Sequence, residues 1–175
     1  MILKGVKVTL RPVRLDDAPR FVKWFNDPEV NKFLFYRSLT LSQERKIIRE
    51  KLQKQTKQST HFCIDTKSGV HIGVTSFDSI RERNKNATWG IVIGDKRYWS
   101  QGYGTEAMSL MFEYGFKKLK LHRIEFDVYR YNKRAIGLYK KLGCKIEGIK
   151  REHNFWNGKY WDTYQMGILD KEWKG

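Results

Sequence analysis

A short glycine-containing stretch, "WSQGYGTEA" at residues 99–107, constrains this chain more than any other feature. Gly102, Gly104 and Ala107 have the spacing of the GxGxxA fingerprint, in which a glycine-rich turn opens a helix. The first N–H groups of a helix have no partners within the helix, and the helix dipole favours an anion beside them. The stretch therefore predicts a pyrophosphate site, and the pyrophosphate belongs either to a dinucleotide or to coenzyme A.

The length of the chain predicts one domain. Its 175 residues are enough to bury a sizeable core, and we expect a single domain over residues 1–175. No apolar run approaches the roughly 20 residues that a membrane span needs, and the first residues lack the apolar segment of a signal peptide. We therefore expect a cytoplasmic protein with no membrane partner.

The charge of the chain points to anionic partners. Lysine and arginine total 35 against 19 aspartates and glutamates, which gives a formal net charge of +16. Such an excess favours nucleic acid, a membrane surface or a polyphosphate ligand. The basic residues are spread over segments with apolar periodicity, which favours solvated helix and strand faces over a dedicated basic tail.

The cysteines give no sign of a metal site. Cys63 and Cys144 lie far apart in apolar stretches, without a CxxC motif or a nearby histidine cluster. The two residues allow either a disulfide or two buried free thiols, and a cytosolic chain favours the free thiols. We predict no metal site.

Hydrophobic periodicity predicts a chain of alternating strands and helices, with three consecutive antiparallel strands in its middle. A capping box at Thr40 and Gln43 predicts a helix to about residue 57, and Asp16 or Asp17 caps an earlier helix. Asn157 and Gly158 predict a tight hairpin turn near the end. The predicted order is a strand ("VKVTLRPV"), two helices, three antiparallel strands ("HFCID", "VHIGVTSF", "ATWGIVI"), a helix ("GTEAMSLMFEYGFKKL"), a strand ("HRIEFDVY"), a helix ("KRAIGLYKKLG") and a hairpin ("CKIEGIKRE", "YWDTYQMGIL").

This order argues against a dinucleotide fold. In that fold the glycine loop directly follows the first strand of a parallel unit, and the rest of a doubly wound sheet comes after it. Here three antiparallel strands precede the loop, and only residues 105–175 follow it. Asp127 does lie at the distance of a ribose-binding acid, about 20 residues on. A P-loop is excluded because no Lys-Ser or Lys-Thr follows the glycines.

The chain resembles the GNAT superfamily of acetyl-coenzyme A (acetyl-CoA) dependent N-acetyltransferases over almost its whole length. The resemblance is carried by three segments, at residues 90–108, 132–144 and 147–169. The opening segment at 10–30 is similar to the branch that contains ribosomal-protein alanine acetyltransferases (RimJ/RimL) and spermidine acetyltransferases. The resemblance implies the GNAT fold of the α/β (α+β) class, with a mixed, mostly antiparallel sheet of about seven strands and about four helices. It also implies that two central strands splay apart around acetyl-CoA.

The resemblance also assigns a coenzyme site. Main-chain groups of one splayed strand would pair with the pantetheine arm, the loop at 99–105 would bind the pyrophosphate, and the helix after Asn132 would complete the site. Trp99 departs from the glutamine or arginine that starts the family's loop motif. The assigned residues are Ile91, Val92, Ile93, Trp99, Ser100, Gln101, Gly102, Tyr103, Gly104, Thr105, Asn132, Ala135 and Lys141.

For the chemistry, the resemblance assigns Tyr139 as the acid that protonates the leaving thiolate. A phenol with a pKa near 10 is protonated at neutral pH and can donate. The glutamate that many relatives hold in the fourth strand is missing from "NATWGIV". Glu125, Asp127, Asp162 or a water chain are the alternatives for the base.

The missing base and the charge favour an α-amine at a protein N-terminus as the acceptor. A lysine or polyamine nitrogen is harder to deprotonate than an α-amine, and a chain at +16 repels a polycation at long range. The alternative acceptors are a polyamine, an aminoglycoside or an amino sugar. The basic surface also allows a weak contact with RNA or the ribosome, and many relatives form homodimers.

Two other classes of function compete with an enzyme. The first is a nucleic-acid-binding module that uses aromatic and basic residues of the final hairpin, namely Arg151, Trp156, Lys159, Tyr160, Trp161 and Tyr164. The second is a catalytically silent acetyl-CoA sensor. A nucleic-acid-binding module has no need for an anion-binding loop followed by both Asn132 and Tyr139.

Overall fold

The computed structural model describes residues 1–34, 38–53 and 58–175. Its centre is one eight-stranded sheet with the order β1-β2-β3-β4-β5-β6-β8-β7. The strands are β1 (Leu3–Lys4), β2 (Val8–Pro12), β3 (Thr60–Thr66), β4 (His71–Arg81), β5 (Asn86–Ile93), β6 (Arg123–Tyr129), β7 (Lys145–Trp156) and β8 (Lys159–Leu169). The helices are α1 (Ala18–Phe25), α2 (Pro28–Asn31), α3 (Leu41–Gln53), α4 (Tyr103–Glu113) and α5 (Lys133–Lys141).

The predicted α+β class and the order of the main elements are confirmed. The strands β3, β4 and β5 pair antiparallel in sequence, as the alternation of their residues predicts. The predicted count of about seven strands and four helices misses the two-residue strand β1 and the one-turn helix α2. Both elements are too short to show a periodicity.

The single parallel pairing in the described sheet lies between β5 and β6, and it is short. Only three Cα pairs join them, and the last is Thr88 with Glu125. Beyond this pair, β5 continues beside β4 alone and β6 beside β8 alone. The predicted separation of the two central strands is therefore confirmed, and it opens a wedge in the middle of the sheet.

The helix α4 fixes one wall of this wedge. Gly102 precedes it with φ +86°, a conformation that glycine adopts without a steric cost. Its inner face, which includes Met108, Met111 and Phe112, is fully buried in the main core. The helix then widens into a π turn over Tyr114–Lys118. The N-terminus of α4 is thus held rigidly at the mouth of the wedge.

The predicted caps of the first two long helices have different outcomes. Thr40 and Gln43 form the capping box of α3, because each side chain accepts a hydrogen bond from the backbone N–H of the other. The prediction that Asp16 or Asp17 caps α1 is wrong for Asp17, whose carboxylate accepts from Arg11 and from the N–H of Arg14 instead. The described part of α3 ends at Gln53, and the predicted extension to residue 57 lies outside the described residues.

The final hairpin, β7 and β8, contains the strand at the other edge of the sheet. Asn157 and Gly158 have φ of +51° and +78°, the signs that a tight type I′ turn requires, so this prediction is confirmed. The strand β8 lies between β6 and β7, and β7 is the edge strand. Cys63 and Cys144 are both buried and free, as predicted. Among the described residues, no helix is both long enough and apolar enough to cross a membrane.

Candidate active site

The wedge between β5 and β6 is the mouth of a cleft with a volume of about 1150 Å³. The cleft has two halves. The first half is bounded by β5, by the loop at 99–105 and by α5, and the second by α1, α3, β3 and β4. A cavity of this size holds an extended ligand and a second molecule at once.

In the first half, β5 presents backbone groups without a strand beside them. Ile91, Val92 and Ile93 pair with β4 on one side and line the cleft on the other. An extended ligand with amide groups can bind such an edge as an added strand. The carbonyl of Ile93 is already used, because it accepts a hydrogen bond of 2.7 Å from the Trp99 indole. The unpaired edge therefore fits a pantetheine arm.

The loop at 99–105 supplies N–H groups at the start of α4. Gly102 and Gly104 line the cleft together with Trp99, Ser100 and Thr105. The residue that departs from the family motif, Trp99, ties the loop to the end of β5 through its indole, and the guanidinium of Arg134 lies 4.6 Å from its ring centroid. The loop thus combines a helix N-terminus with a nearby cation, a combination that suits a pyrophosphate.

The other two assigned loop residues turn their side chains away from the cleft. The Gln101 side chain donates to the Arg97 carbonyl, and Tyr103 packs against Tyr98 with ring centroids 5.2 Å apart. Neither belongs to the lining of the cleft. Their assignment to the coenzyme can therefore refer only to their backbone groups.

The helix α5 brings the remaining assigned residues to the same half. Asn132, Ala135, Tyr139 and Lys141 all line the cleft. The Asn132 side chain accepts a hydrogen bond of 3.2 Å from the N–H of Ala135, which makes it the N-cap of α5. Its amide N–H groups remain available as donors. Asn132 therefore combines the capping role with the position that the coenzyme assignment requires.

The candidate acid, Tyr139, sits in an aromatic wall. Its ring centroid lies 4.7 Å from that of Phe126 and 5.7 Å from that of Trp89, and both contacts are edge-to-face. Burial raises the pKa of Tyr139 above its ordinary value. The hydroxyl has no hydrogen-bond partner among the described residues. The packing fixes the ring while the proton stays on an unpaired oxygen, which suits a proton donor.

Three acids on β4 and β6 line the cleft, and two of them are paired with a cation. The carboxylate of Asp127 accepts from Lys150 at 2.5 Å. Glu125 is paired with Arg81 and Arg123. Asp78 lies 3.5 Å from the imidazole of His61. The candidate base Asp162 does not belong to this lining and is paired with Arg130 at 2.7 Å.

A fourth acid, Glu44 on α3, differs from the other three. Its side chain is buried, lines the cleft and makes no ion pair with a described residue. Burial raises its pKa, and Lys51 opposes the shift from a longer distance. The sequence analysis did not assign Glu44 to the site. The available signal was that Glu44 shares the face of α3 that carries Ile47, Ile48 and Lys51.

A buried histidine on β3, His61, also lines this half of the cleft. His61 is 5% exposed, and its Nε2 atom is without a hydrogen bond. Burial, followed by the positive charge of Lys51, lowers the pKa of His61 to about 4, although Asp78 acts in the opposite direction. His61 is therefore neutral at pH 7, and it adds no positive charge to the second half.

A separate polar cluster lies behind the cleft, around Asp17. One ligand atom each of Asp17, Cys63 and His71 lies within 4.8 Å of the others. Both oxygens of Asp17 already accept hydrogen bonds from the guanidinium of Arg11, at 2.7 and 2.9 Å. Arg11 also contacts Asp65 at 2.7 Å. The cluster is a buried ion-pair network that holds β2, β3 and the start of α1 together.

The first half of the cleft combines an unpaired strand edge with a helix N-terminus, and a buried acid lines the second half. These features indicate a protein that transfers an acyl group from coenzyme A. Comparisons with known proteins agree with this class. A family model described as an acetyltransferase (GNAT) domain matches residues 7–145. The chain therefore belongs to the GNAT acetyltransferase family, and it is an N-acetyltransferase with acetyl-CoA as cosubstrate.

The relatives cover nearly the whole chain. An uncharacterized N-acetyltransferase, p20, of Bacillus licheniformis is 30% identical over 172 residues, which are 97% of this chain and 96% of that protein. A spermidine N(1)-acetyltransferase of Escherichia coli is 26% identical over 95% of this chain and 88% of its own length. The crystal structure of spermidine N-acetyltransferase from Vibrio cholerae, in complex with CoA and spermine, has a TM-score of 0.89 at 22% identity. It covers 96% of this chain and 98% of its own, and it shares the fold.

Proposed function

We propose that the enzyme acetylates a single primary amine, the α-amine at the N-terminus of a protein, in the cytoplasm. The observation that carries this proposal is the charge balance of the acceptor half of the cleft. Glu125 and Asp127 are paired with arginine or lysine, and Asp78 is 45% exposed beside the neutral His61. Glu44 is buried and has no ion-pair partner among the described residues. One buried carboxylate without a cation matches one ammonium group.

The walls around Glu44 support an acceptor with an uncharged chain behind the amine. The polar side chains of this half are Lys51, His61, Ser76 and Asp78, and its apolar lining consists of Phe21, Phe25, Val30, Phe33, Leu34 and Ile48. A polyamine carries further ammonium groups, and each would lose hydration against such walls without a carboxylate in return. A peptide places its only obligatory charge at the α-amine.

The absence of a strong base supports the same acceptor. Deprotonating an amine with a pKa of about 10.4 at pH 7 is about 400-fold less favourable than deprotonating an α-amine with a pKa of about 7.8. The candidate bases Glu125 and Asp127 are both held in ion pairs. An α-amine therefore needs the least help from this site.

The residues of the cleft then have distinct roles. Glu44 binds the incoming ammonium and directs it towards the thioester. An N–H of the stretch Ile91–Ile93 stabilises the negative charge that develops on the carbonyl oxygen. The ammonium first loses a proton to water, and the neutral nitrogen forms the new bond to the acyl carbon as the carbon–sulfur bond breaks. Tyr139 gives its proton to the departing sulfur, and the proton that the new amide nitrogen loses returns to the Tyr139 oxygen through water.

The net charge of the chain bears on which proteins it meets. At +16 the surface attracts RNA and repels free polycations. The N-termini of ribosomal proteins are presented beside RNA, so a basic enzyme reaches them by releasing counterions. The proposal therefore includes a weak, salt-dependent contact with RNA.

Acetylation of a polyamine is the second candidate, and one specific observation favours it. Two of the similar proteins are named spermidine acetyltransferases. This chain shares their fold and keeps several acids in the cleft, but the cations beside Glu125 and Asp127 reduce the negative charge that a polyamine needs.

Thiol release from acetyl-CoA across a panel of acceptors separates the candidates. The panel contains N-terminal peptides of ribosomal proteins, the same peptides with a blocked α-amine and an internal lysine, spermidine and an aminoglycoside. We expect turnover with the free α-amine, and kcat/KM that rises with pH to a plateau near 8. Turnover with spermidine alone, still rising towards pH 10, would replace the proposal with the second candidate.

A further inference from the structure

We infer that the N-terminal hairpin formed by β1 and β2 is part of the coenzyme site, with Lys7 as a positioning residue for the pyrophosphate loop. The inference rests only on the binding of acetyl-CoA and is independent of the acceptor. The hairpin lies far from the loop in sequence, yet two contacts with four hydrogen bonds join them.

The first contact is made by Glu106, in the first turn of α4. Its carboxylate accepts hydrogen bonds from the backbone N–H groups of Val6, Lys7 and Val8, at 2.6, 2.6 and 2.9 Å. Three N–H donors on one carboxylate form a strong, charge-assisted clamp. The clamp sets the turn of the hairpin against the start of the helix that follows the loop.

The clamp depends on close approach at Gly5. A Cβ atom on this residue would lie 2.8 Å from the Glu106 carboxyl carbon, which is closer than real Cβ atoms come to other atoms. A larger residue at this position would have to displace the Glu106 carboxylate, and glycine avoids that shift. The small residue Gly5 in the hairpin thus allows close packing against Glu106 in the first turn of α4.

The second contact comes from the side chain of Lys7. Its Nζ atom donates to the carbonyl of Gln101 at 3.0 Å. Because a trans peptide group is planar, its carbonyl and its N–H point in opposite directions. Lys7 therefore turns the N–H of Gly102 away from itself, and Gly102 lines the cleft whereas Lys7 and Gln101 do not. The lysine aims a donor at the pyrophosphate from behind the loop.

The two contacts also solve an electrostatic problem. A carboxylate in the first turn of α4 stabilises the helix, but it would repel an anion bound at the same N-terminus. The N–H groups of the hairpin and the ammonium of Lys7 offset the charge of Glu106 on the side away from the cleft. The helix N-terminus thus remains favourable for a pyrophosphate.

The test is the affinity of the full chain for acetyl-CoA, measured by titration calorimetry without an acceptor. We expect Lys7→Met to raise the Kd about tenfold, as the loss of a charge-assisted hydrogen bond predicts. Lys7→Arg should stay within about twofold of the wild type, since arginine can donate to the same carbonyl. Lys4→Met is the matched control, because Lys4 is also exposed on the hairpin and has the same charge. Melting of the ligand-free variants accompanies each titration.

Three results would overturn the inference. The first is an unchanged Kd in Lys7→Met. The second is an equal loss in Lys4→Met, which would show that only the overall charge matters. The third is a lower melting temperature with an unchanged Kd, which would make Lys7 a merely structural residue. A wild type that does not bind acetyl-CoA would instead contradict the coenzyme site itself.

Discussion

The two halves of the cleft are built in different ways. The coenzyme half uses backbone groups that are close together in sequence, from the free edge of β5 to the loop before α4. The acceptor half uses side chains from separate elements, with Glu44 on α3, His61 on β3 and Asp78 on β4. We therefore expect main-chain groups to bind the coenzyme, which all members of the family share, and side chains to bind the acceptor, which varies.

This difference has a physical basis. A backbone site tolerates many side chains as long as the glycines keep their conformation, so one fold can bind the same coenzyme with different sequences. A side-chain site depends on which charges are paired and which are buried. Substitutions in the two halves should therefore affect different kinetic constants.

The largest effect is expected from Tyr139→Phe. It removes the proton donor for the leaving thiolate, and we expect kcat to fall about 100-fold or more. The affinity for acetyl-CoA should change little, because the backbone of the coenzyme half is untouched. Thiol-release kinetics and calorimetry with the same preparation measure the two quantities. Tyr114→Phe is the control, since Tyr114 packs against Phe62 outside the cleft. Equal turnover of the two variants would mean that Tyr139 only fills the core.

The next effect is expected from Gly102→Val. A β-branched residue at φ +86° is strained by about 1 to 3 kcal/mol, and straightening the loop would move its N–H groups. We expect the Kd for acetyl-CoA to rise about 10- to 100-fold in calorimetry. Gly69→Val is the matched control, because Gly69 also has a positive φ, +82°, and lies between β3 and β4 outside the cleft. A Gly102→Val variant with normal affinity would break the account of a backbone-built half.

A smaller effect concerns the stability of the acceptor half at low pH. His61 has a lower pKa in the folded chain, about 4, than its ordinary 6.5. The unfolded chain therefore takes up a proton first, and this contribution to stability is present above pH 6.5 and is lost as the pH falls. We expect the wild type to lose about 2 kcal/mol from this group between pH 6.5 and 5.

Denaturant unfolding of the wild type and of His61→Gln at both pH values measures this effect. The glutamine cannot titrate, so its free energy of unfolding should fall less over the same interval. Parallel curves for the two proteins would show that His61 is not held neutral in the folded state.

The sequence predicted which residues meet around the loop before α4, but it left most of the second half of the cleft unassigned, for a reason that particular residues show. Gly102, Gly104 and the helix after them form a local pattern, and the limited pairing of β5 with β6 followed from the family resemblance. Glu44 lines the cleft only because α3 packs this face against it. Lys7 reaches the loop only because Glu106 holds the hairpin. Such long-range contacts leave no periodic trace in a sequence.

One measurement tests the central claim most directly, namely that Glu44 binds the acceptor while the backbone binds the coenzyme. It compares Glu44→Gln with the wild type for the acceptor KM of an N-terminal peptide and for the Kd of acetyl-CoA. The account predicts that the acceptor KM rises about tenfold or more, as the loss of a hydrogen bond to a charged group implies, with an unchanged Kd for acetyl-CoA. An unchanged acceptor KM, or a loss that falls equally on the coenzyme, would contradict it.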